Sequence, residues 1–203
     1  MVTFPLKKNL LCANLLAIIL LLVCSKSLYS YDFQLGLKGL VGATGLSLVE
    51  EGDYEMQLGY GLGVSLAYTI EDYFSVELDL FILQKGARTF QGNTISINYL
   101  SIPLLLKADP FNLGAFLSVG AQINLLIQGT LDDRFSNSIT ITDAIEPMSY
   151  DLILGIGYQK DILMLELRYE YGLSDILINQ SYFGNVIEKN NTLYVLMGVM
   201  FTL

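Results

Sequence analysis

Six ionisable residues carry whatever chemistry this chain could perform: Lys38, Glu77, Asp79, Glu166, Arg168 and Glu170. Glu77 and Asp79 are two apart, as are Glu166, Arg168 and Glu170, so in an extended chain each set lies on one face. Paired carboxylates could share general acid and base duty, or they could sit among bases as an ion-paired structural network. The acids here come together with inward bases, which favours the network. Histidine is absent from all 203 residues, so Ser-His and Asp-His catalytic arrangements are unavailable. Both cysteines, Cys12 and Cys24, precede residue 30, and no zinc site can be assembled from the residues that follow. Gly59, Gly61 and Gly63 alternate with Tyr60, Leu62 and Val64 and have no Gly-Lys-Ser/Thr after them, unlike a phosphate loop. Asp132, Asp133 and Asp143 lack the spacing of a calcium loop. No catalytic residue, cofactor or metal site is expected, and the chain is not expected to be an enzyme.

The elements that must position the six charges are strands. From Met56 to Ile70 the even positions are all apolar, while the odd ones, Gln57, Gly59, Gly61, Gly63, Ser65, Ala67 and Thr69, are small or polar. A period of two is a strand, and a glycine-rich second face suits the crowded interior of a narrow barrel. Fifteen residues at about 3.3 Å each, tilted by roughly 45°, cross a bilayer. Hydrophobic residues make up 53% of the chain and charged ones 15%, which suits an exterior facing lipid. The formal charge of −9 argues against nucleic acid, which needs a basic footprint.

The same alternation recurs along the chain. The first strand is expected over Tyr31 to Val41, with Lys38 inside. The third turns Ser75, Glu77, Asp79 and Lys85 inward with Phe81 and Leu83. The fourth, Ile95 to Lys107, changes parity: Ser96 and Asn98 form its early polar set, whereas Ser101, Pro103 and Lys107 form the later one. A β-bulge near Asn98 or Tyr99 would reconcile the halves. Pro103 cannot donate to a ladder and predicts a second irregularity. The fifth strand is expected from Phe111 onward, with Gln122, Asn124 and Gln128 inward beside the exceptions Phe116 and Leu126. The sixth presents Asp151, Gly155, Gly157 and Gln159, the seventh Glu166, Arg168, Glu170 and Gly172, and the last ends at Leu203. These eight strands predict an all-β fold: an eight-stranded antiparallel transmembrane up-and-down β-barrel. Long loops, Gly42 to Glu55, Gly86 to Thr94, Gly129 to Ser149 and Leu173 to Asn191, alternate with short turns, Glu71 to Tyr73, Ala108 to Pro110 and Lys160 to Asp161. Outer-membrane barrels alternate in this way, short turns toward the periplasm. Phe33, Tyr68, Phe74, Phe111, Tyr158 and Phe201 would form an aromatic girdle at that end.

The first 30 residues have the order of an export signal: Lys7 and Lys8, an apolar run from Leu10 to Val23, then Ser25 to Ser30. Cleavage after Ser27 or Ser30 is expected, leaving residues 31–203 as the barrel. Val23 is bulky where a lipoprotein box needs a small residue before Cys24.

The segment Asn98-Tyr-Leu-Ser-Ile-Pro-Leu-Leu-Leu-Lys107 resembles the Tyr-Leu-x-Ile-Pro-Leu-Leu-Leu-Lys signature of the PorT-like outer-membrane β-barrel family. The alternation from Leu193 to Leu203, with Phe201 two residues from the end, is similar to the C-terminal insertion signal of such barrels. The resemblance implies an exported eight-stranded barrel in the bacterial outer membrane, without an assigned activity. Its expected partners are outer-membrane lipid, the barrel-insertion machinery through the last strand, and an unidentified extracellular ligand met by the loops.

Within the barrel, Arg168 is expected to reach across to Glu77 or Asp79, and Lys38 to approach Glu170. Four acids against two bases leave the set short of positive charge, so a bound cation, waters or a shared proton is expected. Such a filled lumen points to a structural role, or to loops that bind or adhere; a small pore, a transporter or a secretion-associated channel component is the alternative.

Overall fold

The computed structural model describes residues 33–47, 54–71, 73–89, 94–132, 138–174 and 189–203. The export signal, Tyr31, Asp133 and the tips of the four long loops lie outside the described residues.

Among the described residues nine strands follow one another: β1 (Phe33–Ser47), β2 (Tyr54–Glu71), β3 (Phe74–Thr89), β4 (Thr94–Ala108), β5 (Ala115–Asp132), β6 (Ser138–Thr140), β7 (Met148–Lys160), β8 (Leu163–Gly172) and β9 (Lys189–Thr202). Every pairing is antiparallel. β1 pairs with β2 and with β9, and β4 pairs with β5, so the sheet closes as β1-β2-β3-β4-β5-β7-β8-β9. The result is an eight-stranded barrel, with the three-residue β6 added beside the far end of β5. Closure leaves no unpaired edge in lipid, which is the condition for a sheet to span a membrane. Among the described residues no helix is long and apolar enough to cross one.

Alternation places a different chemistry on each side of the wall. On β3, Leu80 and Ile82 face outward and are exposed, while Phe81 and Leu83 between them are buried in the lumen. Inward glycines make room for such fillers. A Cβ on Gly63 would strike the Phe81 ring, and one on Gly157 would strike Phe116. Phe74, Phe111, Tyr158 and Phe201 are exposed at the short-turn end, where the Phe33 and Tyr68 rings meet at 5.0 Å.

Several sequence expectations are corrected. β1 and β2 reach Ser47 and Tyr54, and β3 and β4 reach Thr89 and Thr94, so both connections expected to be long loops are partly strand. The region expected as the loop Gly129 to Ser149 contains the end of β5, β6 and a 3-10 turn at Thr142–Ala144. Phe111 to Gly114 belong to a turn rather than to the fifth strand. Asn112 and Gly114 have φ of 51° and 84°, and the Asp109 carboxylate accepts hydrogen bonds from the backbone N–H of Leu113 (3.2 Å) and Gly114 (2.6 Å). An acceptor at that position stabilises a turn over a strand.

The irregularity near Asn98 and Tyr99 exists, but its extra residue is on the partner strand. Asn98 pairs with Gln128 and Tyr99 with Leu126, so Ile127 is the bulged residue of β5. β4 therefore keeps one parity throughout: Ile95, Ile97, Tyr99, Ser101, Leu105 and Lys107 are all buried. It is β5 that switches, which turns Gln128 outward instead of inward. Polarity misled the sequence reading because the inward set near the long loops is apolar: Ile95, Ile97 and Tyr99 pack against Ile145, which follows the 3-10 turn. At Pro103 the β3–β4 ladder runs to Leu78–Leu104 and resumes in register at Phe81–Ser101, as a missing N–H requires.

Candidate functional site

Four strands supply a closed ring of charges across the lumen. Lys38 on β1 pairs with Glu77 and with Asp79 (2.9 Å) on β3. Asp79 pairs with Arg168 on β8 (3.2 Å), and Arg168 with Glu166 (3.2 Å). Glu166 meets Lys107 on β4 at 3.8 Å, and Lys107 returns to Glu77 at 2.9 Å. Each base thus lies between two acids and each acid between two bases. Three positive and three negative charges cancel within the ring. β3 and β8 are four staves apart in a closed set of eight, so the ring bridges opposite walls. Arg168 adds a fork, its Nε and Nη2 donating to Oε1 and Oε2 of Glu166 at 3.2 Å each, which fixes the guanidinium plane. Ser118 on β5 donates to Glu166 Oε1 at 2.7 Å. All six members are buried, so neutrality and hydrogen bonding are conditions for their being there at all.

A second cluster lies toward the long loops, two apolar rungs of β3 beyond the ring. Lys85 sits between Asp151 on β7 (2.8 Å) and Glu170 on β8 (2.7 Å). Gln122 on β5 donates to both carboxylates, at 3.1 and 3.3 Å. Asn124 donates to Asp151 at 2.7 Å and accepts from Ser101 at 2.6 Å. Leu40, Phe81, Leu83, Tyr194 and Leu196 pack together beside these rungs.

The six charges singled out from sequence are therefore divided. Lys38, Glu77, Asp79, Glu166 and Arg168 meet in the ring, whereas Glu170 belongs to the second cluster. Lys38 does not approach Glu170 but turns to Glu77 and Asp79, which lie on its own side of the barrel. The expected shortage of positive charge in that set is removed by Lys107 and Lys85, two inward bases left out of it. Asp151 was left out too, and one negative charge remains in excess in the second cluster. Parity places all three inward, but it does not tell which rungs of distant strands share a height, and that height brings them to their partners. Among the described residues no group of three or more acidic, histidine or cysteine side chains is placed to hold a metal.

The lumen differs at its two ends. Toward the long loops the apolar cap of Ile95, Ile97, Tyr99 and Ile145 covers the second cluster. At the short-turn end a cavity of about 580 Å³ opens below the ring, with Glu77, Lys107 and Phe116 at its floor.

A closed eight-stranded sheet, apolar outside and charged within, is the geometry of a membrane-spanning barrel, and residues 27–177 match the family model of the outer membrane protein beta-barrel domain. The chain belongs to that family. Its place is the bacterial outer membrane. Among solved structures this outer-membrane barrel is similar to Neisserial surface protein A (NspA), with a TM-score of 0.52 and 13% identity over 85% of this chain and 100% of that one. It is also similar to Ail, the attachment invasion locus protein of Yersinia pestis, with a TM-score of 0.51 and 14% identity over 85% and 100% of the two chains. At these identities the likeness is one of fold. No curated protein matches the sequence.

Proposed function

We propose that this outer-membrane barrel is a non-conducting, non-enzymatic scaffold, exported by a cleaved leader and inserted through its last strand, that holds its long loops outside the cell for binding or adhesion. The observation that carries this reading is the closed ring of Lys38, Asp79, Arg168, Glu166, Lys107 and Glu77. It spans a lumen that, at eight strands, side chains can close. A pore would need that ring broken, so the channel reading is the weaker one. Carboxylates held two by two between bases are also poor candidates for proton transfer. The PorT-like signature supports the same subgroup of barrels. Its last residue, Lys107, is a ring member, Leu104 and Leu106 face outward and Leu105 is buried in the lumen, so the signature serves the wall and its filling and carries no secretion role across.

The test is topology together with binding. Small tags placed in residues 48–53, 90–93, 133–137 and 175–188 should be labelled on intact cells, and a tag in the turn at residues 71–73 should not. Replacing the long loops one at a time should abolish any surface binding while heat-modifiable gel mobility is retained. Labelling of the short turns on intact cells would invert the barrel and end the proposal.

A further inference from the structure

The cavity at the short-turn end is the part of the lumen that the scaffold reading leaves unused. Its volume of about 580 Å³ falls within the range of roughly 300 to 1,000 Å³ that small-molecule sites occupy. It is blind, because the charge ring forms its floor. Among the described residues four carboxylates line it, Glu71, Glu77, Asp109 and Asp161, against the two ammonium groups of Lys107 and Lys160. Glu77 and Lys107 are spent on the ring and on each other, and Asp109 is bound to its own turn.

Glu71 and Asp161 stand exposed at the mouth. They lie on two different turns, so they face the cavity from separate sides. Aromatic rings contribute to the lining, Phe116 below and Tyr73 at the mouth. The floor already shows what these surfaces accept. Lys107 holds its ammonium 4.4 Å from the centre of the Phe116 ring, with Glu77 at 2.9 Å. An ammonium between an aromatic face and a carboxylate is how proteins hold organic cations.

We propose that this cavity binds a small aliphatic ammonium compound from the periplasm, a di- or polyamine, with its chain along Phe116 and its charged ends at Glu71 and Asp161. An excess of carboxylate at the mouth selects a cation, and the Phe116 ring at the floor favours an organic one over a hydrated metal ion. Gln159 Nε2 donates to Gln34 Oε1 at 3.1 Å across the lumen, and side-chain amide oxygens there are further acceptors.

Isothermal titration of the folded full-length barrel in phosphatidylcholine nanodiscs, with spermidine as the probe, tests this. One spermidine per barrel should bind saturably, and 1,8-octanediol should not displace it. Glu71→Gln combined with Asp161→Asn should weaken binding by about tenfold or more. Ser75→Trp, which fills the cavity, should abolish it. Asp132→Asn with Asp143→Asn, at the other end, should change nothing. The double turn variant decides the matter if Ser75→Trp fails to fold, since both its residues are exposed. Absence of saturable binding up to about 10 mM, an undiminished affinity in the double turn variant, or equal weakening by the distant pair overturns the proposal.

Discussion

The ring and the cluster beyond it solve one problem with different redundancy. Both bury carboxylates between the same walls, since β3 and β8 contribute to each. In the ring every acid has two bases, and the loss of one base leaves two others within the same circuit. In the cluster a single ammonium, Lys85, serves both Asp151 and Glu170, with the amides of Gln122 and Asn124 as the remaining donors. A lumen can therefore be filled by a self-neutral circuit, or by one charge supported by neutral dipoles. The first arrangement should degrade gradually and the second abruptly.

Substitutions can break or sharpen that contrast. Lys85→Met should be the most damaging, at about 5 kcal/mol, because it leaves two buried carboxylates and no base; urea unfolding of the barrel in micelles, followed by gel mobility, measures it. Arg168→Met should cost less, about 3 kcal/mol, since Lys38 and Lys107 still hold Asp79 and Glu166. Equal losses in these two variants would show that the circuit confers no redundancy. On the opposite side of the wall, Leu62→Arg should cost about 2 to 4 kcal/mol through exposure of a charge to lipid, whereas Ser65→Thr inside should be mild. If both are tolerated alike, the faces are wrongly assigned. The smallest effect belongs to Ser118→Ala, about 1 kcal/mol, because Glu166 loses a neutral donor and keeps both bases.

The barrel was legible because its outer face is uniform. Lipid demands apolar residues at every second position, and Met56 to Ile70 meets that demand without exception. The inner face obeys no such rule, which is why partners were harder to read than strands. Lys38 turns to Glu77 and Asp79 instead of Glu170 because β1 and β3 flank the small residues Gly63 and Ser65 of β2, and a long side chain crosses over them. Shear sets which rungs share a height, and shear depends on bulges such as the one at Ile127, where no residue type announces the extra position. Near the long loops, Ile95 and Ile97 are buried by Ile145, and an apolar residue facing a lid looks in sequence like one facing lipid. The turn at Asp109 was hidden for a similar reason: Phe111 and Leu113 alternate with polar neighbours as a strand would, yet both are exposed beside the membrane interface.

The central claim is that the charge ring shuts the lumen, and single-channel recording in planar bilayers tests it most directly. The purified wild-type barrel should insert without steady conductance, and Arg168→Ala, which opens the ring, should give leaky or unstable openings. A steady, large conductance from the wild type would contradict the account.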